Sequence, residues 1–205
     1  VPKGHADKIF INTSGIGLIP EGISVASKNA KEGDLILING DIGNHGIALL
    51  SKREGLNFKS SLISDCSPLD SLVSSILEVS QRVHVLRDPT RGGLATALNE
   101  IAAHSAVGVR IFEDSLPIQN EVLAASDMLG LDPLYVANEG KCIVFVAKED
   151  ADAVLNTMKR HKYGKRSKII GEVISDNQGK VLLKTRVGGT RILSMLTGEQ
   201  LPRIC

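Results

Sequence analysis

A chain of 205 residues, 42% hydrophobic and 23% charged, has a globular composition and is long enough for a sizeable core. Its 24 basic and 23 acidic residues nearly cancel, which removes any general pull toward nucleic acid or a membrane surface. No apolar run approaches the roughly 18 residues of a membrane span, and the first residues lack a secretory profile. Three scattered cysteines, Cys66, Cys142 and Cys205, form no C-x-x-C pair and fit a reducing cytoplasm. With four Phe, two Tyr and no Trp, the chain is poor in faces on which bases stack.

In chain order, residues 8–12 read as a short strand closed by Ser14-Gly15-Ile16-Gly17, and 18–34 as a connector with a short turn or helix. The run Leu-Ile-Leu-Ile-Asn at 35–39 is almost wholly apolar, the pattern of a strand buried on both faces. A helix is predicted from 47 to about 54. A second covers 68–80, with apolar residues at 69, 72, 73, 76 and 77 and Asp70 in its first turn. Helices follow at 94–104, 120–129 and 150–161. Strands are predicted at 83–86, 108–112, 134–137, 142–147, 168–174 and 181–184. Asp176-Asn177-Gln178-Gly179 has the turn chemistry of a hairpin joining the last two strands. Residues 191–205 lose strong periodicity, and Pro202 leaves the last four as an extended, mobile tail. The fold class is α/β or α+β: a mixed sheet covered by helices, without internal repeats.

Four constellations carry candidate chemistry. Gly40-Asp41-Ile42-Gly43-Asn44-His45-Gly46 lies between a buried strand and a helix, where glycines and the helix start suit a phosphate. It matches neither the Walker nor the Rossmann pattern and is equally a tight turn. Asp88-Pro89-Thr90-Arg91-Gly92-Gly93 offers Arg91 as a grip for phosphate or carboxylate, or else an Asp88–Arg91 pair bracing the turn. In Asn138-Glu139-Gly140-Lys141, Glu139 is either a general base or the solvent-side partner of Lys141. Cys205, last in an accessible tail, offers a thiolate nucleophile. Cys66 and Cys142 read as buried small hydrophobes, and the five histidines share no metal-ligand spacing. Only His45 invites a functional role.

Together with the terminal Pro202-Arg203-Ile204-Cys205, these motifs resemble the HypE family of hydrogenase maturation proteins over essentially the whole chain. The two loop motifs are shared with aminoimidazole ribonucleotide synthetase and selenophosphate synthetase, and the terminal Pro-Arg-Ile-Cys singles out HypE. The resemblance implies a fold like the C-terminal domain of aminoimidazole ribonucleotide synthetase. It also implies a cytoplasmic carbamoyl dehydratase. In this chemistry Cys205 receives a carbamoyl group from the carbamoyltransferase HypF, and ATP activates the carbamoyl oxygen. Dehydration then leaves a thiocyanate, whose cyano group passes to iron on the HypC–HypD complex as a cyanide ligand of a [NiFe]-hydrogenase. Glu139 would be the base and Lys3 would lie near the nucleotide phosphates and the tail. Gly40, Asp41, Gly43, His45, Gly46 and Arg91 would contact phosphate or line the tail channel. The family's N-terminal domain, with its magnesium–ATP site and homodimer surface, has no counterpart here. Residues 1–28 are expected to be its remnant and connector, and 29–205 the C-terminal domain. Such a piece, starting without Met, is expected to fold yet neither bind ATP tightly nor dehydrate carbamate alone. The competing expectations are a fragment of a related synthetase, which needs no terminal cysteine, and a non-catalytic docking module.

Overall fold

The computed structural model describes residues 14–53, 55, 62–196 and 198. The expected strand at 8–12, Lys3, and the tail with Cys205 lie outside the described residues.

The run at 35–38 forms β1 (Leu35–Ile38), and its neighbours are β2 (Val83–Arg87), β3 (Gly108–Phe112), β4 (Ile143–Val146), β5 (Lys168–Ile174), β6 (Val181–Lys184) and β7 (Thr190–Leu193). Among the described residues these make one seven-stranded sheet, ordered β2-β4-β1-β5-β3-β6-β7. All neighbours are antiparallel except β3 and β6, which run parallel, so the sheet is mixed as expected. The helices are α1 (Asn44–Arg53), α2 (Asp70–Val79), α3 (Gly93–Ser105), α4 (Asn120–Leu129) and α5 (Ala151–Arg160). No helix of the described residues is long and apolar enough to cross a membrane.

Continuous apolar runs become intelligible once both sheet faces are covered. Ile36 and Ile38 of β1, with Ile143 and Phe145 of β4, pack toward α3. Leu37, Val144 and Val146 face the opposite way, onto Leu72 and Ile76 of α2 and Val154 and Met158 of α5. In β2, Val83 and Val85 are two apart yet belong to opposite layers. A register shift between them against β4 inserts the extra residue that turns the side chains over. Ile47 of α1 and Val122 and Ala125 of α4 form a satellite cluster with Val136.

Several expectations are corrected. Residues 134–137 are not a strand: Pro133–Tyr135 is a 3-10 turn, because Pro133 supplies a helical φ and Asp132 accepts Leu134 N–H at 3.0 Å. The connector at 18–34 makes turns, the first of the two forms expected of it. A turn does form at 176–179, with Asn177 at φ +58° and Gly179 at +71°. It joins no hairpin, however, because β3 lies between β5 and β6. The hairpin is one connection later, β6 to β7, closed by Thr185 N–H on Gly189 C=O at 2.9 Å. That last strand falls where periodicity had been judged lost, since among its residues only Leu193 is buried.

Candidate functional site

All three internal motifs meet at the end of the sheet from which β1 leaves. Asn138 joins them. Its Oδ1 accepts Gly43 N–H at 2.7 Å, while Nδ2 donates to Pro89 C=O at 3.1 Å and Val136 C=O at 3.0 Å. Its own N–H also donates to Pro89 C=O, at 3.2 Å. Asn39 is a second latch: Nδ2 donates to Gly140 C=O (3.1 Å) and Tyr163 C=O (2.9 Å), and Oδ1 accepts Cys142 N–H (2.8 Å). Buried amides with every partner supplied fix loops that carry no regular structure of their own.

Glycine is required where these loops touch. A Cβ on Gly46 would stand 2.4 Å from Val136 Cγ1, and one on Gly93 (φ +62°) would stand 2.5 Å from Leu134 C=O. Gly140, at φ +64°, passes equally close to the 65–67 segment. Any side chain at these positions pushes the motifs apart.

The expected site residues divide into two groups. Gly40 and Asp41 line a cleft of about 510 Å³, together with Asn44, Asp65, Lys141 and Arg166. Asp41 is buried; its Oδ2 accepts from Gln119 Nε2 and pairs with Arg166 Nη1, both at 2.8 Å. Gly43 and Gly46 lie behind that lining. His45 shares a 2.8 Å hydrogen bond between Nδ1 and Ser64 Oγ. Among the described residues, Asp41 Oδ1, Asn44 Oδ1 and His45 Nε2 are buried without a hydrogen-bond partner, a concentration of unmet polar capacity within five residues.

Arg91 and Glu139 are not among the residues lining this cleft. Arg91 is exposed and does not brace the turn through Asp88, which instead lies 3.4 Å from Arg87 Nη1. Arg87 also holds Glu100 at 2.9 Å. Glu139 is half-buried, and among the described residues it has no ion pair. The alternative of a Glu139–Lys141 pair is overturned: Lys141 is buried and pairs with Asp65. Among the described residues this leaves the Glu139 carboxylate without a cationic partner.

Cys142 is buried as expected, whereas Cys66 is exposed. Burial pushes the Cys142 thiol up to about 12. At pH 8 roughly one molecule in 10,000 then carries its thiolate. Iodoacetamide on the native chain is therefore expected to label Cys66 while Cys142 reacts only after unfolding, as a peptide mass map would show. Since the folded state keeps the Cys142 proton longer than the unfolded state, stability is unaffected below about pH 9 and falls as pH rises from there toward 12. Tyr135 in the neighbouring turn is also raised, first by burial and then by Asp132, and donates its hydroxyl to Ser194 C=O at 2.8 Å.

Sequence reasoning missed Asn39, Asn138 and Asp65, and the turn carrying Lys162, Tyr163, Lys165 and Arg166 into the cleft. That turn did leave a signal: Arg160, Lys162, Lys165, Arg166 and Lys168 crowd nine residues of a charge-balanced chain. Among the described residues, no group of three or more His, Cys, Asp or Glu side chains could hold a metal ion.

Comparison with known proteins places this geometry. Residues 31–184 match the family model described as AIR synthase related protein, C-terminal domain. The carbamoyl dehydratase HypE of Cupriavidus necator is 50% identical over 205 residues, covering all of this chain and 58% of that protein. The chain thus spans under two thirds of that relative's length. A crystal structure of hydrogenase maturation protein HypE in complex with ATP superposes with a TM-score of 0.84 at 45% identity, over 88% of this chain and 55% of that one. HypE in a HypE–HypF complex gives 0.81 at 44% identity, over 85% and 56%. The chain therefore belongs to the family of AIR synthase related protein C-terminal domains, and the member it resembles is HypE.

Proposed function

We propose that this chain is the C-terminal part of an ATP-dependent carbamoyl dehydratase serving [NiFe]-hydrogenase maturation, with residues 29–205 as its C-terminal domain and 1–28 as connector and preceding domain. The observation that carries this reading is the convergence of three motifs on Asn138, in a chain that matches a carbamoyl dehydratase HypE from end to end.

In this reading Cys205 gives up its thiol proton to solvent and its Sγ attacks a carbamoyl group presented by a carbamoyltransferase of the HypF kind, forming an S–C bond to the carbamoyl carbon as the bond from that carbon to the donor's leaving group breaks. ATP supplies activation of the carbamoyl oxygen, which departs with phosphate. The nitrogen gives up both protons as the C–N bond becomes triple, leaving S–C≡N. Glu139 takes a nitrogen proton, a role suited to a half-buried carboxylate without a cationic partner among the described residues. Lys3 and Arg91 serve phosphate, while Gly40, Asp41, Gly43, His45 and Gly46 shape the floor along which nucleotide and tail meet. The main magnesium–ATP site and the homodimer surface belong to the preceding domain, and the cyano group passes to iron on a HypC–HypD-like acceptor. A terminal cysteine suits a carrier that visits donor, nucleotide and acceptor in turn.

The test uses the full-length protein containing this chain, incubated with carbamoyl donor, carbamoyltransferase and ATP. The C-terminal peptide is expected to gain a carbamoyl group and then lose water; an unmodified peptide contradicts the carrier role. Glu139→Gln is expected to stop at the carbamoyl stage, with dehydration slowed by about 10²-fold or more. Dehydration at the unsubstituted rate would remove Glu139 from the mechanism.

A further inference from the structure

The cleft beside the 40–44 loop holds more positive charge than its own carboxylates can match. Lys141, Lys162, Lys165 and Arg166 line it, against Asp41 and Asp65. Arg166 is engaged with Asp41 and Lys141 with Asp65. Lys162 and Lys165 remain, exposed and without an ion pair among the described residues. The N-terminus of α1 opens onto the same space through Asn44, adding the partial positive charge of a helix start, part of which is met by Ala137 C=O on Gly46 N–H at 3.1 Å.

The turn bearing these cations is held rigidly. Gly164 N–H donates to His161 C=O at 3.0 Å and Ser167 N–H to Gly164 C=O at 2.9 Å, so two turns follow each other directly. A Cβ at Gly164 would sit 2.1 Å from Met158 C=O, and Asn39 Nδ2 ties Tyr163 C=O to the end of β1. The Lys162 ammonium lies 4.5 Å from the centroid of the Tyr163 ring, which orients it through the ring's negative face. The backbone that presents both lysines is thus fixed before a ligand arrives and Lys162 is held against its ring, so less freedom is lost on binding than on an irregular basic surface.

We propose that this cleft is a phosphate-binding site in which Lys162 and Lys165 are the ligating cations. At about 510 Å³ it has room for a chain of phosphates as well as a single one. The inference deepens the proposed function and rests on it only for the source of the phosphate, a nucleotide or the inorganic ion. Phosphate binding itself rests on the lining. Asp41 and Asp65 each cancel one cation, so the affinity expected for this chain alone is weak, of millimolar order.

The experiment titrates the isotope-labelled 205-residue chain with inorganic phosphate, tripolyphosphate and ATP at constant ionic strength made up with chloride, following amide resonances. Saturable shifts are expected at Gly40, Ser64, Gly140 and Tyr163, with tripolyphosphate binding more tightly than phosphate. Lys162→Ala with Lys165→Ala is expected to weaken both by about tenfold or more while the spectrum elsewhere stays that of the folded chain. Both side chains are exposed, so their loss leaves the core untouched. ATP binding no tighter than tripolyphosphate supports recognition of phosphate alone, and tighter binding supports a nucleotide source. Shifts that do not saturate, that spread over the surface, or that persist unchanged in the double variant overturn the proposal. Cys205 chemistry is not read by this titration, so its outcome is separate from that of the carrier test.

Discussion

Cys205→Ala in the full-length protein is expected to abolish hydrogenase maturation, reducing hydrogenase activity in cells to that of a strain lacking the gene. In the proposed reaction the group attacks a carbamoyl carbon, holds the product through dehydration, and then leaves as the cyano group moves to iron. A thiol does all three, because its thiolate forms near neutral pH and is a good leaving group. A serine hydroxyl is barely ionised at the same pH, so Cys205→Ser is expected to be as inactive as the alanine variant. Normal maturation with Cys205→Ala would remove the carrier role, while an intact unfolding curve would exclude misfolding as the cause of any loss.

The largest effect on stability is expected at Asn138. It is buried, and its side chain makes three hydrogen bonds that no neighbour can replace. Asn138→Ala leaves Gly43 N–H without its acceptor and removes the side-chain donor to Val136 C=O, while Pro89 C=O keeps the backbone N–H of residue 138 and loses only its second donor. The cost is expected to be about 2–4 kcal/mol in urea unfolding, with the three motifs released from one another. Asn138→Asp keeps an acceptor for Gly43 but aims a carboxylate at two carbonyl oxygens, and is expected to cost at least as much. A loss below about 0.5 kcal/mol in either variant would mean that Asn138 does not hold the site together. The change tests architecture independently of Cys205.

Which features were legible in the sequence follows from how locally each is determined. Burial on both faces wrote itself into Leu35–Ile38 and Ile143–Val146 as unbroken apolar runs, so these strands could be read directly. The turn at 176–179 was equally plain, but its hairpin was not, because the insertion of β3 between β5 and β6 is decided by pairing across the whole chain. Residues 134–137 looked like a strand by hydropathy, and the Asp132-Pro133 cap overrode it. Thr190–Leu193 escaped notice because an edge strand with one buried residue has no alternation to reveal it.

The site shows the same division. Gly46 was read as admitting a ligand and Gly93 as part of a sharp turn; at both, and at Gly140, the structure shows close approach to other loops of the chain. What they approach was unreadable: an asparagine that latches three loops has no spacing signature, and Asn39 and Asn138 are common residue types in ordinary positions. An Asp88–Arg91 brace was the alternative to Arg91 as a grip for an anion, yet Asp88 lies instead against the adjacent Arg87. A Glu139–Lys141 pair was the alternative to Glu139 as a base, yet the partner of Lys141 is Asp65, seventy-six residues earlier in the chain. Charge pairing across loops is a tertiary fact, and the crowding of cations at 160–168 was a signal that the sequence reading did not take up.

The central claim is that the sulfur of Cys205 carries a group dehydrated in an ATP-requiring step. The most direct measurement is the infrared spectrum of the full-length protein after loading with a ¹³C-labelled carbamoyl donor. A nitrile stretch is expected to appear only after ATP is added, to shift with the isotope, and to be absent in Cys205→Ala. A tail that mass analysis shows to be carbamoylated, but that gives no nitrile absorption with ATP, would contradict the account.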